Sequence, residues 1–186
     1  ISIAAVATAS GPGDPARMVT RGMFAPRPFD AIYEAPALSN MIFAYEGYYQ
    51  LPNISKYFIK PTKWEAARDF YDFTMSWPEY RKYGSDTLSS IFQESLYEAA
   101  KSLSHPFWEL LTNAASYRFL GQAPLRQYFS NRDEVVTADG ATAAVDYQTS
   151  LGKSNATSHD AGKDADHRCV YLHTLIDVKP WFDSLR

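Results

Sequence analysis

Apolar and polar positions divide the chain into stretches of different period. Residues 1–8 form an apolar run without helical punctuation that stops at Ser10-Gly11-Pro12-Gly13-Asp14, which predicts a short buried strand ending in a loop. A proline-bearing crossing segment follows over about residues 17–30. From about 30 to 119 the spacing is helical. Residues 31–49 carry apolar side chains around much of the circumference, as in a helix buried on more than one side. Thr62-Lys63-Trp64-Glu65 and Ser76-Trp77-Pro78-Glu79 both fit the capping box, so each predicts a helix start. A third helix is expected over about 86–102, with Leu88, Ile91, Phe92, Leu96 and Ala99 on one face. A fourth follows Pro106, with Phe107, Leu110, Leu111 and Ala114 inward, and ends near Gly121.

Strand character resumes at Leu125-Arg126-Gln127-Tyr128-Phe129, bounded by Pro124 and by Ser130-Asn131. Residues 138–151 read as a helix, 153–166 as a polar stretch with weak strand content, and about 168–185 as a surface helix packed by Trp181 and Phe182 and interrupted by Pro180. Strand, long helical insertion, strand, helix, weak strand, helix is the alternation of a parallel α/β sheet covered by helices. Three strands do not complete such a sheet. The first would present a bare hydrogen-bonding edge, so further strands are expected from elsewhere.

Size and charge narrow the picture further. At 186 residues and 46% hydrophobic the chain is long enough for a buried core, and a net charge of -3 without any basic stripe argues against nucleic acid as a partner. Its apolar runs fall short of the roughly 18 residues of a membrane span. The single cysteine, Cys169, forbids an internal disulfide, rules out a cysteine-rich zinc site and is expected to be packed. Asn53-Ile54-Ser55 and Asn155-Ala156-Thr157 match the glycosylation acceptor pattern, a short pattern that arises often by chance. The chain opens directly on Ile1-Ser2-Ile3, which reads either as the product of trimming or as a strand entered midway in a polypeptide divided in two. The compartment stays open, with a secreted or periplasmic site preferred to a cytoplasmic one.

Two stretches carry candidate chemistry: Asn131-Arg132-Asp133-Glu134-Val135-Val136 and Asp164-Ala165-Asp166-His167-Arg168. In each an ionisable residue follows a strand or polar loop, where side chains project over the carboxyl edge of a parallel sheet. A histidine serves as general base when its other ring nitrogen is held, and a carboxylate does this by fixing the tautomer and stabilising the imidazolium. Asp133 and His167 suit those roles. Asp133 also suits a helix cap, His167 an ordinary surface position, and Asp14 is a second candidate acid. Asp160, Asp164, Asp166 and His159 crowd near His167 but show no ligand spacing that defines a metal site. His105 precedes a proline, and His173 lies inside the last helix. Tyr45, Tyr48, Tyr49, Trp64, Phe70, Phe73 and Trp77 are expected mostly in the core of the helical block, a few of them lining a substrate pocket.

These stretches, in this order and ending on a helix with an aromatic pair, resemble the C-terminal part of an α/β-hydrolase with a large helical lid or cap insertion. The resemblance implies a core strand and loop at 1–16, the lid at 17–119, and a hydrolase core at 120–186 that carries the acid after the seventh strand and the histidine after the eighth. It implies a serine esterase or lipase-like enzyme, amides being less favoured substrates, with Asp133 and His167 in a Ser-His-Asp triad and no cofactor. The family's G-x-S-x-G elbow is absent; Ser10-Gly11 comes nearest, but Thr8 and Pro12 stand where the flanking glycines belong. The expected partners are therefore an N-terminal hydrolase fragment bearing the nucleophilic serine and the oxyanion hole, and a small-molecule ester. Alone, the polypeptide would be inactive. The alternative is a non-enzymatic helical ligand-binding module, or a degenerate hydrolase without a nucleophile.

Overall fold

Period-two alternation in one pentapeptide organises the sheet. The computed structural model describes residues 3–83 and 87–185. In it β1 (Val6–Ala9), β2 (Leu125–Phe129) and β3 (Ala156–Asp160) form a parallel sheet in that order, with Val6 opposite Leu125 and Leu125 opposite Ala156. Leu125 of β2 packs with Ala144 and Val145 of α9 (Ala143–Ser150), and Gln127 accepts a 2.9 Å hydrogen bond from the Val145 amide. Arg126 and Tyr128 turn to the opposite face. Both bond to Asp177 of α10 (His167–Ser184), and Tyr128 packs with Val170 of the same helix. Helices thus cover both faces of a parallel sheet, which makes this an α/β fold.

The chain divides into two compact units, Ile1–Met18 with Ala114–Arg186, and Val19–Asn113. The sheet belongs to the first. The second contains the C-terminal part of α1 (Pro15–Phe24), then α2 (Asp30–Tyr48), α3 (Ile54–Phe58), α4 (Pro61–Tyr71), α5 (Trp77–Tyr80), α6 (Glu94–Ser102) and α7 (Pro106–Asn113). Leu38, Ile42, Phe58, Leu96 and Trp108 are among its fully buried side chains.

Several elements differ from the sequence expectation, each for a local reason. The crossing segment is helical from Pro15, because Asp14 accepts the Arg17 amide at 3.0 Å and proline is pre-set for a first helical turn. Pro61 likewise opens α4 one residue ahead of Thr62, so the capping box proposed there does not form. The one at Ser76 does: the Glu79 carboxylate accepts from the Ser76 amide at 2.9 Å. The third helix starts at Glu94, not near residue 86, which lies outside the described residues. Ahead of it, Ser90 donates to the Thr87 carbonyl in a 3-10 turn, and Phe92 leaves helical geometry to bridge Ile59. The fourth helix ends at Asn113, well before Gly121.

In the sheet unit, the helix expected over 138–151 is broken at Thr142 into α8 (Ala138–Ala141) and α9. Pro180 does not interrupt α10, whose outer face is exposed there, so the lost amide leaves no buried carbonyl stranded. Cys169 is exposed rather than packed. Asn155 donates its amide to the carbonyls of Gly121, Gln122 and Ala123, which commits it structurally and argues against glycosylation. None of the seven aromatics expected mostly as core is fully buried. Phe73 is 92% exposed with a left-handed φ of 60°, and Phe43, Phe58 and Trp108 fill the interior instead.

The helical unit also buries an acid. Glu34 of α2 is 1% exposed, and among the described residues neither carboxyl oxygen has a hydrogen-bond partner. Its carboxyl occupies the space a side chain at Gly22 would need, since a Cβ there would lie 1.5 Å from Oε2. Arg21 stands 3.8 Å away but is bonded to Asp30, which also receives the Arg27 amide and guanidinium. Burial, with the Asp30 charge added, raises Glu34 from 4.5 to about 8 against the opposing pull of Arg21 and Arg27.

Candidate active site

Three chain segments leave the carboxyl ends of the strands and converge. Ser10 follows β1 in a left-handed turn, with φ of 47°. The turn after β2 runs from Ser130 to Asp133, closed by the Asp133 amide on the Ser130 carbonyl at 3.3 Å. Ser130 also donates to the carbonyl of Gly162, at 3.2 Å, tying this turn to the loop after β3. Gly162 has φ of 109°, a conformation open to glycine. That loop ends at Asp166, whose carboxylate caps α10 by accepting the Cys169 amide at 2.8 Å, so His167 is the first residue of the helix.

Asp133 and His167 are thereby brought together. His167 Nδ1 lies 2.9 Å from Asp133 Oδ2 and 3.1 Å from Oδ1. The carboxylate, 1% exposed, is well supplied with donors: Oδ1 accepts the amides of Val135 and Val136, each at 2.8 Å, and Oδ2 accepts the Ser10 hydroxyl. Burial alone would push Asp133 up; the hydrogen bonds from His167, Ser10 and the two amides outweigh it and hold the carboxyl below its usual range. The hydrogen bond to Asp133 raises His167 against partial burial, with the charges of Glu134 and Asp166 adding to the rise. Facing an ionised carboxylate, Nδ1 carries the proton, which leaves Nε2 as the acceptor. Such an imidazole can take a proton from a hydroxyl at Nε2 and return it to a leaving group.

Asp133 does not cap a helix: α8 is capped by Thr137, which accepts the Gly140 amide. Asp14, the second candidate acid, caps α1. The acidic residues near His167 have other engagements. Asp160 accepts the Gly162 amide, Asp164 lies 3.5 Å from Arg132, and Asp166 is the cap just described. His159 belongs to β3 and bonds Thr157, and His105 accepts the Phe107 amide at the start of α7.

Three residues of this cluster escaped the sequence reading. Ser10 reads in the sequence only as the nearest approach to a nucleophile elbow, but its hydroxyl bonds the acid and not the imidazole. Glu134 accepts the His167 amide at 3.0 Å and so fixes the helix start to the β2 turn. Tyr171 places its hydroxyl 3.2 Å from His167 Nε2. Only the last had a readable signal, the four-residue spacing that sets two side chains on one helical face.

No family model and no curated protein sequence matches the chain. Solved structures do. One is a provisionally assigned hydrolase from Legionella pneumophila, with a TM-score of 0.79 and 17% identity over 99% of this chain and 48% of that one. Another is a mutant of LipA, a rice cell wall degrading esterase from Xanthomonas oryzae, with a TM-score of 0.74 and 16% identity over 97% of this chain and 51% of that one. A ligand-bound form of the same esterase gives a TM-score of 0.70 and 17% identity. The chain spans about half the length of these structures, and its fold is hydrolase-like.

Proposed function

We propose that this chain is the acid and histidine part of a serine hydrolase acting on esters, and that the nucleophilic serine and oxyanion hole come from a preceding hydrolase segment or a companion chain. The observation that carries the reading is the 2.9 Å contact from His167 Nδ1 to Asp133, a buried carboxylate ionised by its donors, over the carboxyl edge of a parallel sheet. In the reaction, His167 Nε2 takes the proton of the attacking serine and hands it to the departing alcohol. Asp133 holds the ring and stabilises the imidazolium between those steps. Unit Val19–Asn113 stands in the chain where such enzymes carry a lid, and it is read as one.

Two features support a missing segment. β1 is at the edge of the sheet among the described residues, and α10 exposes Leu172, Leu175 and Ile176, 61 to 77% accessible and spaced as one helical stripe. Half-length coverage of the esterase structures fits the same reading. A fluorophosphonate probe on the native material, read by intact-mass analysis, tests it. Labelling of a serine outside this sequence, lost in His167→Ala, is the expected result. No labelling of any component would return the chain to the binding-module alternative.

A further inference from the structure

We propose that Tyr171 is a positioning residue for His167: its phenol donates to Nε2 and holds the imidazole between two fixed partners until a nucleophile's hydroxyl takes that nitrogen over. The geometry is local and complete. Tyr171 follows His167 by one turn of α10, its oxygen is 3.2 Å from Nε2, and its ring meets the imidazole edge-on at 5.0 Å and 89°. Packing does not account for the placement, since Tyr171 is 43% exposed on a helix whose buried residues are Val170 and Thr174.

Chemistry gives the contact a direction. Nε2 of a neutral imidazole has one in-plane lone pair and accepts one good hydrogen bond, so Tyr171 and an incoming serine compete for it. With Nδ1 pinned to Asp133, a donor at Nε2 removes the remaining freedom of the ring plane. An exposed phenol can leave into water without stranding a polar group, so displacement by serine exchanges one donor for another. A hydrogen bond donated to Nε2 favours the neutral ring, opposing Asp133, Glu134 and Asp166, which favour the charged one. Donation from Tyr171 thus weighs against the protonation that these neighbours promote, without reversing their net effect. The displacement step rests on the hydrolase reading above; the Tyr171 contact does not.

The test is an NMR titration of the His167 ring in the full chain, wild type against Tyr171→Phe, which keeps the ring and removes the hydroxyl. Loss of a hydrogen bond of ordinary strength should raise the proton affinity of His167 by about 3- to 10-fold. An unchanged or lower affinity, with the amide spectrum of the sheet intact, overturns the proposal. Should Tyr171→Phe fail to fold, 3-fluorotyrosine incorporated at Tyr171 is a stronger donor and should lower the affinity; no movement overturns it equally. In the assembled enzyme, Tyr171→Phe should move the acidic limb of kcat/KM to higher pH. A shifted titration in material silent to fluorophosphonate would leave Tyr171 as assigned and remove the hydrolase reading instead.

Discussion

Asp133 and Glu34 are both carboxyls at 1% exposure, and they titrate in opposite directions. Asp133 meets four donors, two of them backbone amides fixed by the turn that carries it. Among the described residues Glu34 meets none, and Arg21, 3.8 Å away, is spent on Asp30. Depth therefore says little about the state of an acid; the donors built around it decide. The two sites also shape stability differently with pH. Asp133 binds its proton more weakly in the fold, so its contribution is present above its ordinary 3.8 and is lost as pH falls through the folded value. Glu34 binds its proton more tightly, so the fold loses stability as pH rises from 4.5 to about 8. His167, raised by Asp133, stabilises fully below 6.5, and that contribution fades as pH climbs through its folded value.

The largest expected effect breaks the Asp133 side of this contrast. On the proposed hydrolase reading, Asp133→Asn in the assembled protein should lower kcat by about 10³- to 10⁴-fold, because the amide leaves the imidazole in the wrong tautomer. Ester turnover with the melting temperature followed in parallel checks it, and near-normal turnover would remove the assignment. Glu34→Gln comes next. Relieved of holding a proton, the helical unit should gain roughly 3 kcal/mol at pH 7, at about 1.4 kcal/mol per pH unit above 4.5. Thermal denaturation from pH 4 to 9 should show that gain growing and levelling off near pH 8; a gain independent of pH would mean that Glu34 is ionised.

Gly22→Ala should cost about 2 to 3 kcal/mol in chemical denaturation, since the new Cβ would sit 1.5 Å from Glu34 Oε2. Most of that cost should vanish in a Glu34→Ala background, a double-mutant cycle that isolates the pair. The smallest effect is Ser10→Ala. Removing one of four donors to a buried charge should destabilise by about 1.5 to 2 kcal/mol and move the acid limb of the stability profile upward in pH. Equal stability at pH 3 and pH 7 relative to wild type would show that the hydroxyl adds nothing to Asp133.

What could be read ahead of the structure follows the range of the interactions. β2 was legible to the residue because Pro124 and Ser130 punctuate both ends. Asp133 and His167 each sit in a short local stretch with its own strand and helix signals, so their convergence across 34 residues was legible too. Ser10 was not, because its role appears only when residues 123 apart meet. Glu34 was hidden by its helix, where apolar residues on most sides give an acid no distinguishing face. Pro180 misled because the rule against helical proline concerns buried or strained turns, and α10 passes it on an exposed one. The third helix misled because apolar spacing alone cannot tell a helix from the 3-10 turn and bridge that bury the same side chains.

The parallel pairing of Val6 with Leu125 also has a consequence for how the chain folds. Every residue of the helical unit lies between these partners, so the sheet closes a loop of more than a hundred residues, at an entropic cost of roughly 4 kcal/mol beyond the constant term. The helices form from near neighbours and can assemble early, replacing a floppy tether with a collapsed one. Pulsed hydrogen exchange should accordingly protect amides of α2 and α6, and those between β2 and β3, whose closure is short, before those that join β1 to β2, and β1 should be the last strand to order.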